Sequence, residues 1–389
     1  MMTRVLSTTL APTVRSVLLS LTLGLTTLSA QAMLPTPPAP DISARAWILM
    51  DLASGKSIAE KTPDERVEPA SLTKLMTAYL TFTAIKEGRL KLNQTLPVSD
   101  AAWRAEGSRM FLEPNKPTTV DNLIKGVIIQ SGNDACIVLA EAIAGSEDAF
   151  ASMMNQTAKR LGMTRSNFVN ATGLPHPQHY TTARDLARLT TVLIKEFPDY
   201  YKLYSQREFT YNGIRQPNRN RLLTMDSSVD GVKTGHTNSA GYCLIASGQR
   251  DKRRLISVVL GAGSDTARAM ESQKLLNYGF QFFETVRMYQ ANKPISSPRI
   301  YKGMGNELPI GFTSDLYVTV PRGTTGNMKA EVVTQQPMLA PVNRGQKVGT
   351  LRLTSNGQVV GEYPLQALRD VPVTGIIGRT WDALVLMFK

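Results

Sequence analysis

Cysteine is nearly absent: the 389 residues contain two, Cys136 and Cys243. Two thiols allow one bridge at most, so this is no disulfide scaffold, and a chain of this length can bury a core without one. A bridge and a pair of buried free thiols both stay open. Neither cysteine has a histidine nearby in sequence to mark it as a nucleophile. Histidine is also scarce, at three residues. His176 and His179, in Leu174-Pro-His-Pro-Gln-His-Tyr180, have no third ligand in view, so a solvent loop is expected rather than a metal pair. No metal and no cofactor are expected. Basic clusters with interleaved aromatics are missing too, which disfavours nucleic acid as a partner. The formal charge of +13 suits an anionic polymer or acidic lipid, or reflects ordinary surface lysine.

Acidic residues are absent between Thr164 and Tyr180, a segment without periodicity that reads as an irregular loop. At the N-terminus, Arg4 and Arg15 precede the apolar run Val17 to Leu28, and Ala30-Gln-Ala32 offers a small-residue exit. The run falls short of the roughly 20 residues that span a bilayer. A signal peptide over residues 1–32, cleaved after Ala32, is expected in preference to a membrane anchor.

What is present is organised around Pro69-Ala-Ser-Leu-Thr-Lys74. Read as the first turn of a helix over 71–87, it places Ser71 and Lys74 on one face. A serine hydroxyl is a poor nucleophile until a neutral amine takes its proton. Downstream, Leu123 to Gln130 reads as a helix running into Ser131-Gly-Asn133, with Asp134 expected to cap the next helix, 135–144. Lys233-Thr-Gly235 falls on a strand-like stretch, 229–235, followed by strands over 241–248 and 254–261. Hairpins are expected around Ser54-Gly55 and Asn212-Gly213. Further helices are expected over 147–161, 182–196 and 267–283. The fold class is α+β, helices flanking an antiparallel sheet.

The punctuation at Asn292-Lys-Pro-Ile-Ser-Ser-Pro298 marks a boundary, after which short alternating strands predict a small all-β domain over 293–375. The last stretch, 376–389, winds as an amphipathic helix. Ile376, Ile377, Trp381, Leu384, Val385, Met387 and Phe388 share one face, and Arg379, Asp382 and Lys389 the other. Such a helix suits the membrane interface, and packing on the β domain is the alternative; the anchor is the reading adopted.

Singly, Ser-x-x-Lys, Ser-x-Asn and Lys-Thr-Gly are weak signals. Together and in this order they are the signature of class A β-lactamases and penicillin-binding proteins. Glu68-Pro-Ala-Ser-Leu-Thr-Lys-Leu-Met-Thr77, Gln130-Ser-Gly-Asn-Asp-Ala-Cys136, Phe209-Thr-Tyr-Asn-Gly-Ile-Arg-Gln216 and Asp230-Gly-Val-Lys-Thr-Gly-His-Thr237 resemble the low-molecular-mass penicillin-binding proteins that are D-alanyl-D-alanine carboxypeptidases. The resemblance covers nearly all of the chain after residue 32. It implies a β-lactamase/transpeptidase-like domain over 33–292 that removes the terminal D-alanine from peptidoglycan stems ending in D-Ala-D-Ala and is acylated by β-lactams. It also implies export to the periplasmic face of the inner membrane, held there peripherally by the C-terminal helix.

By that resemblance Ser71 attacks, Lys74 is its base, Ser131 relays the proton and Asn133 holds the substrate amide. Lys233 and Thr234 receive the terminal carboxylate, with Lys233 expected to lower the pKa of Lys74. Gly235 lets the substrate lie close, and the backbone of His236 joins that of Ser71 in the oxyanion hole. Arg219 and Arg268 match positions that help bind the carboxylate or shape the loop around it, with plain exposed arginines as the alternative. Ala171-Thr172-Gly173 stands where some relatives have a histidine before the glycine. A D,D-endopeptidase uses the same device. A class A β-lactamase would need a glutamate in the loop 164–180, and a non-enzymatic wall-binding protein would not need the three motifs.

Overall fold

A computed structural model describes residues 36–388. The expected signal peptide, 1–32, lies outside the described residues. A five-stranded antiparallel sheet runs in the order Ser57–Lys61, Ala46–Asp51, Arg253–Ala262, Gly241–Arg250, Val229–Thr237. Side chains alternate across it because the strand period is two. Ala46, Ile48 and Met50 face the large helical core, while Trp47 and Leu49 face a second cluster with Leu275 and Leu276 of helix Asp265–Phe282. The sheet is thereby covered on both faces. The strand carrying Lys233-Thr-Gly235 sits at its edge, facing the helical layer's cleft.

Helices start where capping chemistry directs. Ser146, Thr182 and Ser264 each accept a backbone N–H three residues on, opening Glu147–Arg160, Ala183–Glu196 and Asp265–Phe282. The serine segment differs from the expected single helix. Ala70–Thr73 forms a tighter 3-10 turn, and the α-helix begins only at Lys74 and runs to Lys86. That helix is buried on every side from Lys74 to Phe82, so it is a central strut, not a surface helix with one apolar stripe.

The second motif arrives differently too. An α-helix over Val120–Lys125 widens into a π turn, Gly126–Gln130, and ends at Ser131 in the left-handed region (φ 63°). Asp134 is not the cap of the next helix, Asn133–Ala144; Gly132 occupies that position. The Asp134 carboxylate instead accepts the backbone N–H groups of Met110 (3.0 Å) and Leu112 (3.1 Å), pinning the loop that forms one cleft wall.

The β-rich module is built on a second five-stranded sheet, ordered Pro294–Ser296, Ile310–Gly311, Gln358–Ala367, Lys347–Ser355, Met328–Thr334. Strand Phe283–Tyr289 follows helix Asp265–Phe282 without a linker and pairs with Leu316–Pro321, so the module begins upstream of residue 293. The prolines at 294 and 298 punctuate the module's interior. A partly buried polar joint ties the two parts: Asp51 accepts from Arg253 (3.0 Å) and Thr285 (2.6 Å), and Thr319 meets both Thr285 (2.9 Å) and Ser54 (2.6 Å). The terminal helix, Ile376–Met387, follows the module. Among the described residues no helix is long and apolar enough to cross a membrane.

Candidate active site

The three motifs converge. Lys74 Nζ donates to Ser71 Oγ at 3.0 Å and to the Thr172 carbonyl at 2.5 Å. Lys233 Nζ donates to Ser131 Oγ at 2.9 Å. Ser71, Ser131, Thr234, Gly235, His236, Arg219 and Arg268 line one cleft of about 600 Å³. Asn133 donates to the Glu106 carbonyl at 2.5 Å, while its Oδ1 is buried with no partner among the described residues. A buried acceptor left unmatched at a cleft calls for a donor such as a substrate N–H.

The backbone explains the convergence. Left-handed Ser131 closes the π turn and brings its hydroxyl to Lys233, a sparsely populated conformation of the kind that gathers at functional sites. Gly235 also matters to the nucleophile turn. A Cβ there would lie 3.0 Å from the Pro69 carbonyl and 3.2 Å from Leu72, so the glycine lets the edge strand rest on the nucleophile turn. Gly173 presses on the same turn from the other side, where a Cβ would fall 1.8 Å from the Ala70 carbonyl.

Burial pushes Lys74 down to about 8, and Arg219 pushes in the same direction. Burial, more than the expected repulsion from Lys233, is the main cause; that repulsion acts on both cations, and burial and then Lys74 hold Lys233 well below the usual lysine range. The reason is position. Lys74 is fully enclosed, so loss of water outweighs any one neighbour.

Arg268 does more than line the cleft. It donates to the Gly235 carbonyl (3.0 Å) and the Cys243 carbonyl (3.4 Å) and pairs with Asp265, bracing the edge strand. Arg219 stands on the rim with no hydrogen bond among the described residues, and its charge is felt at both lysines. His236 is exposed and stacks its ring on Tyr242 at 4.0 Å. Cys136 and Cys243 are both free and buried, and burial pushes Cys136 up to about 12, which keeps it a neutral thiol.

Several cleft residues carry no readable motif: Gly107 and Ser108, Asn218, Arg221, Tyr242 and Asp265. Arg221 pairs with Asp265 at 2.6 Å and so joins the Arg268 brace. Glu147 supplies an acid that the loop 164–180 lacks, accepting the Ala171 N–H at 2.8 Å from the neighbouring helix. The two loop histidines also part ways. His176 is exposed, but His179 is buried, contrary to the expected solvent loop, because it turns inward onto Thr73 (2.8 Å).

Comparison with known proteins agrees with this architecture. Residues 32–264 match the peptidase S11 family, D-alanyl-D-alanine carboxypeptidase, and residues 283–373 match the C-terminal domain of penicillin-binding protein 5. The chain is 45% identical to the D-alanyl-D-alanine carboxypeptidase DacC of Escherichia coli, covering 91% of this chain and 90% of the relative. It is 41% identical to DacA of the same organism, over 90% and 89% of the two chains. The solved penicillin-binding protein 5 of Haemophilus influenzae superposes with a TM-score of 0.84 at 39% identity, over 86% of this chain and 99% of that one. The chain belongs to the D-alanyl-D-alanine carboxypeptidase family, peptidase S11, and is a serine-type hydrolase with the penicillin-binding protein fold.

Proposed function

We propose that Ser71 is the nucleophile and Lys74 its general base in removing the terminal D-alanine from peptidoglycan stems. The observation that carries this is the 3.0 Å contact between Ser71 Oγ and an enclosed Lys74 whose pKa falls to about 8. An amine so placed can be neutral near physiological pH and accept the serine proton. Ser71 Oγ adds to the carbonyl between the two D-alanines, and the peptide C–N bond breaks. Ser131 hands a proton to the departing amine, leaving an ester on Ser71. Water then cleaves that ester, and the shortened stem leaves.

Asn133 Oδ1 receives a substrate N–H. Thr234, Lys233 and Arg219 face the terminal carboxylate, an anion that these cations attract. Arg268 shapes the same wall through Gly235. The backbone N–H groups of Ser71 and His236 form the oxyanion hole. β-Lactams, which mimic the scissile amide, acylate the same serine. The first 32 residues direct export, and the terminal helix holds the enzyme peripherally at the outer face of the cytoplasmic membrane. The domain limits follow: a catalytic part after residue 32, the β module, and the anchor over 376–389.

The test is incubation with a pentapeptide stem and with a cross-linked stem dimer, scoring which releases D-alanine. Release from the pentapeptide is expected, with negligible cleavage of the dimer; dimer cleavage alone would make the enzyme an endopeptidase. Labelled penicillin should form a covalent adduct that Ser71→Ala abolishes, and an adduct in that variant would remove Ser71 from its role.

A further inference from the structure

The loop 164–180 is fastened to the nucleophile segment at successive points. Lys74 Nζ reaches the Thr172 carbonyl, Thr77 Oγ1 donates to the Ala171 carbonyl at 2.7 Å, and His179 Nε2 meets Thr73 Oγ1 at 2.8 Å. Thr73 is the last residue of the Ser71 turn, immediately before Lys74. His179 is 2% exposed and sets its ring edge-on to Phe168, with centroids 5.7 Å apart. Its Nδ1 accepts the Val169 N–H at 3.2 Å. A nitrogen that accepts carries no proton, so the neutral ring holds its hydrogen on Nε2 and donates it to Thr73. Burial keeps that ring neutral, pushing its pKa down to about 4.

We propose that His179 is a positioning residue: through Thr73 it fixes the loop 164–180 against the turn bearing Ser71, and so keeps the Thr172 carbonyl on Lys74. It touches neither substrate nor the reacting atoms. The step it serves is acylation, which needs Lys74 enclosed and aimed at Ser71. This rests on the roles given above to Ser71 and Lys74.

The groups facing Lys74 are Asp134 and Cys136 from helix Asn133–Ala144, Glu147 from helix Glu147–Arg160, Arg219 from the rim and Lys233 from the edge strand. Of these the two cations, Arg219 and Lys233, oppose a proton on Lys74 as burial does, while Asp134, Cys136 and Glu147 favour one. A loosened loop admits water, and the largest cause of the lowered pKa weakens. His179 itself is faced by His176 from its own loop and by Lys74 from the helix.

The two amide replacements separate the ring's two contacts. In His179→Gln the amide nitrogen falls near Nε2 and can donate to Thr73. In His179→Asn the amide oxygen falls near Nδ1 and keeps the Val169 contact alone. Acylation by a chromogenic β-lactam, followed against pH, is expected to slow about tenfold or more in His179→Asn, with the acid limb moved upward. His179→Gln is expected to stay within about threefold of the parent. Thr73→Val should reproduce the Asn defect, and the double variant should be no slower than either single one. Equal rates in Asn and Gln, or a fall in melting temperature with no change in rate or limb, would overturn the proposal. If Ser71→Ala still forms the adduct, the reading of the site itself fails. If Ser71→Ala is inert and His179→Asn acylates like the parent, His179 alone is misassigned.

Discussion

Lys74 is the residue at which stability and chemistry oppose each other. Its pKa falls from 10.5 to about 8 in the fold, so below pH 8 the native state holds an enclosed ammonium at a cost of about 3 kcal/mol. Between those two values the unfolded chain still binds the proton and the native chain does not, so this residue's contribution to stability rises with pH there. Lys74→Met removes the charge but orphans the Thr172 carbonyl, which returns about 1–2 kcal/mol of the gain. The variant should be inert to penicillin yet about 1–2 kcal/mol more stable at pH 7, an advantage that fades as pH climbs through 8 to 10.5. Urea unfolding at several pH values measures it. In the parent, acylation should rise with pH toward a plateau above about 8.

At this same scale the sequence was informative where spacing carries chemistry. Ser71 and Lys74 are three apart, and a serine, an asparagine and a second lysine follow in fixed short patterns. Arg221, Tyr242 and Gly107 were silent because each reaches the cleft from a loop or strand whose local pattern says nothing of its neighbours. His179 misled for a related reason. A histidine among prolines looks solvated until the loop's inward turn is known.

Elements with local causes were legible. The pair Asn212-Gly213 takes left-handed backbone at the tip of a two-residue hairpin, as that turn type requires. The capped helices likewise began where Ser or Thr could accept an N–H. The π turn at Gly126–Gln130 was not legible, because its cause is distant. A Cβ at Gly126 would lie 2.3 Å from Met110 Sδ, so the segment must pack against a loop brought in by Asp134.

Gly173 tests how tightly the loop and the nucleophile turn are joined. It shares left-handed backbone with Gly145, at φ +86° and +83°, but only Gly173 lacks room for a Cβ, while Gly145 has nothing within 4 Å. Gly145→Ala should therefore cost about 1 kcal/mol of backbone strain and leave acylation unchanged. Gly173→Ala adds a clash with the Ala70 carbonyl, and should cost about 3 kcal/mol or more and slow acylation at Ser71. Thermal unfolding and penicillin labelling of the pair separate the two effects. Equal losses would mean that the approach of the loop to the turn is not tight.

At the scale of the whole molecule, the seating of the β module and the exposure of the terminal helix bear on the proposed attachment to a membrane. The joint links buried Asp51 and buried Thr319 through half-buried Thr285, so hydrogen bonds seat the β module on the catalytic part. Beyond the module, the terminal helix presents Ile377, Trp381, Leu384 and Phe388 to solvent, with Ile377 and Phe388 nearly 90% exposed. Asp382 turns inward and takes the Lys302 backbone N–H, which fixes which side faces out. An outward apolar stripe of this kind, bearing a tryptophan, is costly in water and stable at a bilayer surface. Val385 is half-buried, so the stripe is narrower than the sequence pattern implied. Trp381→Ser with Phe388→Ser should then release the enzyme from vesicles while penicillin labelling of Ser71 stays intact, because the helix lies outside the cleft. Unchanged sedimentation with vesicles would assign the stripe to packing and leave the net charge of +13 as the source of any membrane affinity. Raising the salt distinguishes the two, since charge attraction fades within a Debye length and apolar burial does not.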